Sequence, residues 1–178
     1  MDPQWITTQS GNTISKSATI RDPQQVLISG HSTIQHHVSL NSSSLQLGKF
    51  VYIDTHSTIG GGEGSSSSKC KIGSYVIVQP RCKLQCSNIG NRVCIGSGCT
   101  LSKGVIIHDC VVVESNTVIG EAVNIPPFSL VRQDCAVDHE HVAMCGIHVE
   151  VLNESFKKLI EQWSKWCYIN HEIPSEIP

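Results

Sequence analysis

Residues 89–131, cut into sixes, read IGNRVC IGSGCT LSKGVI IHDCVV VESNTV IGEAVN IPPFSL V. Every block opens on an aliphatic residue: Ile89, Ile95, Leu101, Ile107, Val113, Ile119, Ile125 and Val131. Six is a multiple of the two-residue strand repeat and not of 3.6, so the aliphatic always returns to one face of an extended chain, and a helix is excluded. The fifth position holds Val93, Cys99, Val105, Val111, Thr117, Val123 and Ser129. Small and β-branched residues suit a second inward position in an interior that admits one long side chain per side. Three short sides close a triangular coil, so residues one coil apart should stack. Ile89, Ile107 and Ile125 then share one face, Ile95, Val113 and Val131 the next, and Leu101 with Ile119 the third, with rungs about 4.8 Å apart. The pattern predicts an all-β solenoid, a parallel β-helix of hexapeptide repeats. The glycine that often follows the aliphatic (Gly48, Gly73, Gly90, Gly96, Gly120) reads as a corner residue with positive φ.

Upstream, Ile72, Val78 and Leu84 keep the interval, and one residue is missing before Ile89. Leu47, Ile53 and Ile59 form another coil, and Ile14, Ile20 and Val26 fit the register, as do Ile28, Ile34 and Leu40. Between Ile59 and Ile72 the run GGGEGSSSSKCK breaks the period with the composition of a flexible excursion, read as a spacer loop, with a partner-contact or phosphorylatable segment at Ser65 to Ser68 as the second reading. Beyond Val131, Leu152, Phe156, Leu159, Ile160, Trp163 and Trp166 recur at three and four, the spacing of an amphipathic helix that would fold back over exposed strands or core. Pro174 stops it. The expected organisation is a lead-in over 1–13, a β-helix of about six coils over 14–135 with a loop over 60–71, a helix over 149–168 and a tail over 169–178.

The chain has 178 residues, 39% hydrophobic and 16% charged, with a formal net charge of -2. Scattered Lys and Arg give no footprint for nucleic acid. The N-terminus lacks the basic start and apolar run of a signal peptide, and no eighteen-residue apolar stretch occurs, so a cytoplasmic protein without membrane insertion is expected. Nine cysteines in such a chain read as small core hydrophobes, with Cys82 and Cys99 directly at the inward small position. Cys82 and Cys86 lack the second ligand pair that a zinc site requires.

Hexapeptide solenoids include two enzymatic kinds, acyltransferases working between coils of neighbouring subunits and metal-dependent carbonic anhydrases of the gamma class. The gamma class carries a motif like I-G-x-x-V-x-[IV]-G-H. Here Ile72 to Pro80 matches it except that Pro80 stands at the first ligand, Gln85 at the second and Ile59 at an upstream one, although Asp54 resembles that family's acidic residue. None of the three replacements binds zinc as imidazole does. For acyl transfer a histidine must take a proton from an amine or hydroxyl. His108 follows inward Ile107, faces outward and is the best single candidate. The pairs His36-His37 and His139-x-His141 offer two ligands each. No catalytic, cofactor or metal residue is assigned on this reading.

The segment WITTQSGNTISK (residues 5–16), the run Ile72-Gly73-Ser74-Tyr75-Val76 and the exit Ile125-Pro126-Pro127-Phe128-Ser129 resemble the dynactin subunit 5 family, hexapeptide proteins of the dynactin pointed end. An Arg-Gly-Asp triplet of that family is absent around His36 to Asn41. The resemblance implies a left-handed coil, against the usual right-handed crossover. It also implies no enzymatic activity, no cofactor, and a place in the cytoplasm and cytoskeleton beside dynactin subunit 6, an actin-related protein and a larger zinc-binding subunit. Such a scaffold would link dynein to cargo or adaptors in microtubule-based transport. Its partner contacts are expected at the aromatic residues Phe128, Phe156, Trp163 and Trp166. The alternative is a gamma-class carbonic anhydrase-like or hexapeptide acyltransferase-like enzyme.

Overall fold

The repeated aliphatics stand in three vertical columns, as their spacing predicts. The structure, a computed structural model, describes residues 4–41, 43–60, 69–85, 88–134 and 146–174. Ile89, Ile107 and Ile125 occupy one register, Ile95, Val113 and Val131 the second, and Leu101 with Ile119 the third. All eight are at most 2% exposed. Most strands are only two or three residues long because a corner follows each inward aliphatic. They assemble into one nine-stranded and two six-stranded sheets, a left-handed β-helix of about six turns with a single C-terminal helix.

The missing residue before Ile89 is absorbed without loss of register, since Ile72 pairs with Ile89, Val78 with Ile95 and Leu84 with Leu101. Ile28, Ile34 and Leu40 stack on Leu47, Ile53 and Ile59, as their spacing predicts, and Val26 pairs with Leu45 in the same five-residue strand as Ile28. One detail differs from the sequence pattern. Lys69, Cys70 and Lys71, placed in the loop by composition, belong to strand Lys69–Ile72, which pairs with Ser44 to Leu47 and buries only Cys70 and Ile72. Alternation of lysine with a thiol hid that strand. Residues 61–68, including Ser65 to Ser68, lie outside the described residues.

The glycines after the aliphatics are not the left-handed corner residues. Positive φ falls two positions later, on Phe50 (55°), Tyr75 (61°), Arg92 (58°), Cys110 (60°) and Phe128 (55°). A left-handed L-residue costs about 1–2 kcal/mol. Each cost is offset where the same residue's N–H donates to a carbonyl of the preceding coil, Tyr75 to Lys49, Arg92 to Ser74, Cys110 to Asn91 and Phe128 to Asp109. What Gly73 provides is closeness: a Cβ there would lie 2.5 Å from the carbonyl oxygen of Gly90.

Antiparallel strands finish the nine-stranded sheet at both ends, Trp5–Thr7 on Thr13–Ser15 and Gly146–Val151 on Ser129–Asp134. The helix, α1, spans Phe156–Asn170 and starts later than the 149–168 periodicity suggested. Val149 and Val151 alternate in the preceding strand, and Asn153 opens the helix by accepting the Ser155 N–H on its side chain at 2.9 Å. His171, left-handed with φ 56°, ends it and donates to the Cys167 carbonyl. α1 lies on the nine-stranded sheet, packing Trp163 and Cys167 against Tyr52, Ile77, Cys94 and Val112. Its outer fastenings follow the corner stack His31, Phe50 and Tyr75. Tyr168 meets Phe50 edge-on and donates to the Gly11 carbonyl at 2.8 Å, Lys165 lies over the Tyr75 ring, and Glu161 pairs with Arg92. Among the described residues nothing covers the other two sheets.

Gly73→Ala is expected to cost about 1–3 kcal/mol by forcing adjacent rungs apart. Gly120→Ala meets no atom within 4 Å and should be neutral or stabilising by up to about 1 kcal/mol. Urea unfolding of both variants checks this, and equal stabilities would contradict the close-rung explanation.

Candidate functional site

His108 occupies the position after inward Ile107, one rung from Gly90 and two from Gly73 in the same column. At Gly73 and Gly90 the next coil fills the place of a side chain, so this column is a shelf of backbone with one imidazole at its end. The strand beside it places Lys71, Asn88 and Ile106 in an outward column of their own. Together these residues line an open groove of about 390 Å³ on an uncovered sheet. The His108 ring is exposed and makes no hydrogen bond among the described residues.

Asp109 does not orient it. One Asp109 carboxylate oxygen accepts the Asn91 N–H at 2.8 Å, and both oxygens accept from the Asn91 amide group at 3.2 Å. Asn91 in turn accepts the Ser74 N–H at 2.9 Å, and the Ser74 hydroxyl accepts the Lys49 N–H at 3.0 Å. This ladder braces the corner and leaves His108 free to take a proton from a bound nucleophile, with Lys71 available to an anionic group.

The neighbouring pair His36 and His37 is committed to packing. His36 Nδ1 lies 2.6 Å from the Ser15 hydroxyl and 3.3 Å from that of Ser17, and Trp5 leans on the ring. His37 turns away to stack on His56 at 4.9 Å. The two neighbours therefore cannot converge on one ion. Ser15 is 2% exposed, too covered to attack a substrate. Ile59 lines the core, and Asp54 accepts the Thr55 N–H at 2.6 Å while burial holds its carboxyl above the usual carboxylate range. Among the described residues no three His, Cys, Asp or Glu side chains are grouped to hold a metal ion. Cys86, His139 and His141 lie outside the described residues.

The thiols behave as core. Cys82 and Cys99 are fully buried and donate to the carbonyls of Gly96 at 3.1 Å and Glu114 at 3.0 Å. Burial pushes the Cys94 and Cys167 thiols up to about 12. The Tyr52 phenol is likewise raised by burial beneath α1 and donates to the His171 carbonyl at 3.2 Å.

The four aromatic residues expected to touch partners are dispersed. Trp163 is turned into the sheet, Trp166 is 37% exposed, Phe156 is half-buried at the start of α1, and Phe128 is a left-handed corner residue beside Glu154, Ser155, Lys157 and Lys158. Sequence reasoning singled out His108 as an outward histidine without assigning it a role, and did not connect Lys71, Gly73 and Gly90 with it. The signal was there in the register: Gly73, Gly90 and His108 hold the same hexad position.

Comparison with solved structures shows the same fold in bacterial acyltransferases. The chain resembles a hexapeptide transferase family protein from Anaplasma phagocytophilum with a TM-score of 0.64 and 12% identity over 90% of each chain. It resembles a point mutant of AntD, an N-acyltransferase from Bacillus cereus in complex with dTDP and coenzyme A, with a TM-score of 0.64 and 13% identity over 87% of this chain and 89% of that one. A point mutant of perosamine N-acetyltransferase from Caulobacter crescentus, in complex with CoA and GDP-perosamine, matches at 0.58 and 20% identity over 68% of this chain and 52% of its own. No protein-family description and no curated protein matches the chain.

These findings correct the sequence expectation of a dynactin subunit 5 scaffold. No curated relative supports it, and the solved structures named above are a hexapeptide transferase family protein and two acyltransferases, so the expected absence of enzymatic activity and the partners named with it (dynactin subunit 6, an actin-related protein, a larger zinc-binding subunit, dynein adaptors) are withdrawn. The motifs that suggested it have local work in any β-helix of this shape. Gly11 takes φ 74° in a turn whose Asn12 side chain accepts the Ser32 N–H at 3.1 Å, and Phe128 after the prolines is a corner residue like Phe50.

Asp54→Asn is expected to stabilise the protein near neutral pH. With the folded pKa raised, the folded state holds the proton over a window where the unfolded chain has lost it, so stability falls as pH rises through that window and stays lower above it. The gain should shrink towards pH about 4, where the unfolded carboxyl also protonates. Thermal melts at both pH values test this; a gain equal at both, or a loss at neutral pH, contradicts it.

Proposed function

We propose that this chain is a hexapeptide β-helix acyltransferase, moving an acyl group from coenzyme A to an amine or hydroxyl acceptor, with His108 as general base. The observation that carries this reading is the unpaired imidazole at the end of the glycine shelf, on an uncovered face of a fold shared with acyltransferases bound to coenzyme A and nucleotide sugars.

The chemistry asks little more of the protein. A neutral imidazole accepts the proton as the acceptor nitrogen or oxygen attacks the thioester carbonyl, the carbon–sulfur bond breaks, and the thiol of coenzyme A leaves with a proton. Lys71 lies two rungs away, about 10 Å along the sheet, and suits a phosphate of either substrate. Gly73 and Gly90 draw the rungs together, and their backbone lines the groove beside His108. A cytoplasmic setting, where coenzyme A is available, fits this function.

Purified protein given acetyl-CoA and nucleotide-linked amino sugars should release free thiol. His108→Ala should lower kcat about 10²–10⁴-fold, the usual worth of a general base, while Lys71→Ala should raise KM for one substrate with kcat little changed. Thiol release that survives His108→Ala undiminished would refute the assignment of the base. No release with any such acceptor would refute the activity.

A further inference from the structure

Strand Gly146–Val151 is the last strand of the nine-stranded sheet, bonded on one side to Ser129–Asp134 and to nothing beyond among the described residues. Edges are protected by charged side chains, lysine above all, by proline or by a bulge. This one, GIHVEV, has no proline, lysine or bulge, its one carboxylate, Glu150, is paired with Arg132 of its own chain, and its Val149 and Val151 are 40% and 91% exposed. We propose that it pairs antiparallel with the same strand of a second copy of this chain, about a twofold axis through Val149.

The register follows from geometry and charge. Residues opposed across an antiparallel pair share a face, and a twofold perpendicular to the sheet keeps each residue on its own face, so only axes passing through a residue are allowed. An axis at Glu150 sets that carboxylate against its own copy, an opposition that destabilises a sheet. One at His148 sets imidazole against imidazole and Gly146 against Glu150. The axis at Val149 puts His148 opposite Glu150 of the second copy, twice, and Ile147 opposite Val151, twice.

The polar face is already primed for that arrangement. Arg132 donates to Glu150 at 2.8 Å, and His148 Nε2 lies 3.2 Å from the other oxygen of the same carboxylate. Pairing would extend this into a row of Arg132, His148 and Glu150 from both copies, while Val149 and Val151 gain apolar neighbours on the opposite face. Because the strand is the terminal one, the coils of the second copy run away along the solenoid axis. Pairing at this edge depends neither on acyl transfer nor on His108.

Sedimentation equilibrium of the full chain over about 1–100 µM tests it, with circular dichroism to confirm folding. The wild-type chain should form a dimer. His148→Glu, on an exposed side chain, should weaken it about tenfold or more, and the exchange His148→Glu with Glu150→His should restore it to within about threefold of wild type, since it remakes both opposed pairs. Wild-type protein that stays monomeric at the highest concentration overturns the proposal. So does an oligomer indifferent to His148→Glu, or a double variant no stronger than the single one.

Discussion

Every part of this molecule depends on the stacking of like residues between rungs. A two-residue strand has no stability of its own, and marginal hydrogen bonding at that length is not enough to hold a chain. What holds it is that each inward aliphatic lies against its counterpart above and below, with at most 2% of any of the eight from Ile89 to Val131 reaching solvent. Burying one such side chain is worth about 1.5–3 kcal/mol. The gain accrues only if the neighbouring coil is in place, so the coils stand or fall with their neighbours, as in other solenoids.

That constraint explains the freedom outside. Once the inward positions are fixed, the corner residues can be aromatic, cationic or thiol, even in left-handed backbone, since the preceding coil supplies their hydrogen-bond acceptors. One corner column, His31, Phe50, Tyr75 and Arg92, became the track on which α1 lies. The middle of that sheet, at Tyr52, Ile77, Cys94 and Val112, is thereby covered. The groove at His108 is on a sheet the helix does not reach, and its shape comes from two glycines that the spacing of the rungs requires.

The columns were legible in the sequence because burial in a solenoid repeats at a fixed interval, and six cannot be confused with a helical period. The helix was legible from Leu152 to Trp166, but its start was not: Val149 and Val151 suit a strand as well as a helix, and only pairing with Ser129 to Asp134 decides between them. Strand Lys69–Ile72 was masked by lysines that face solvent. His108 was legible as an outward histidine, whereas Lys71, Gly73 and Gly90 joined it in one groove only once the coils were stacked and the one-residue deletion before Ile89 was placed. Identity was the least legible property. Hexads record the needs of the column, and the turn at Gly11 and the corner at Phe128 record the needs of its ends, so neither distinguishes a scaffold from a catalyst.

The most direct test of the central claim, that the glycine shelf beside His108 is where an acyl donor binds, is an NMR titration of the isotopically labelled chain with coenzyme A. The backbone amide signals of Lys71, Gly73, Gly90 and His108 should shift together along one saturating curve, while those of Ser15, Ser17 and His36 stay still. A titration with no shifts, or with shifts confined to Ser15, Ser17 and His36, would contradict it.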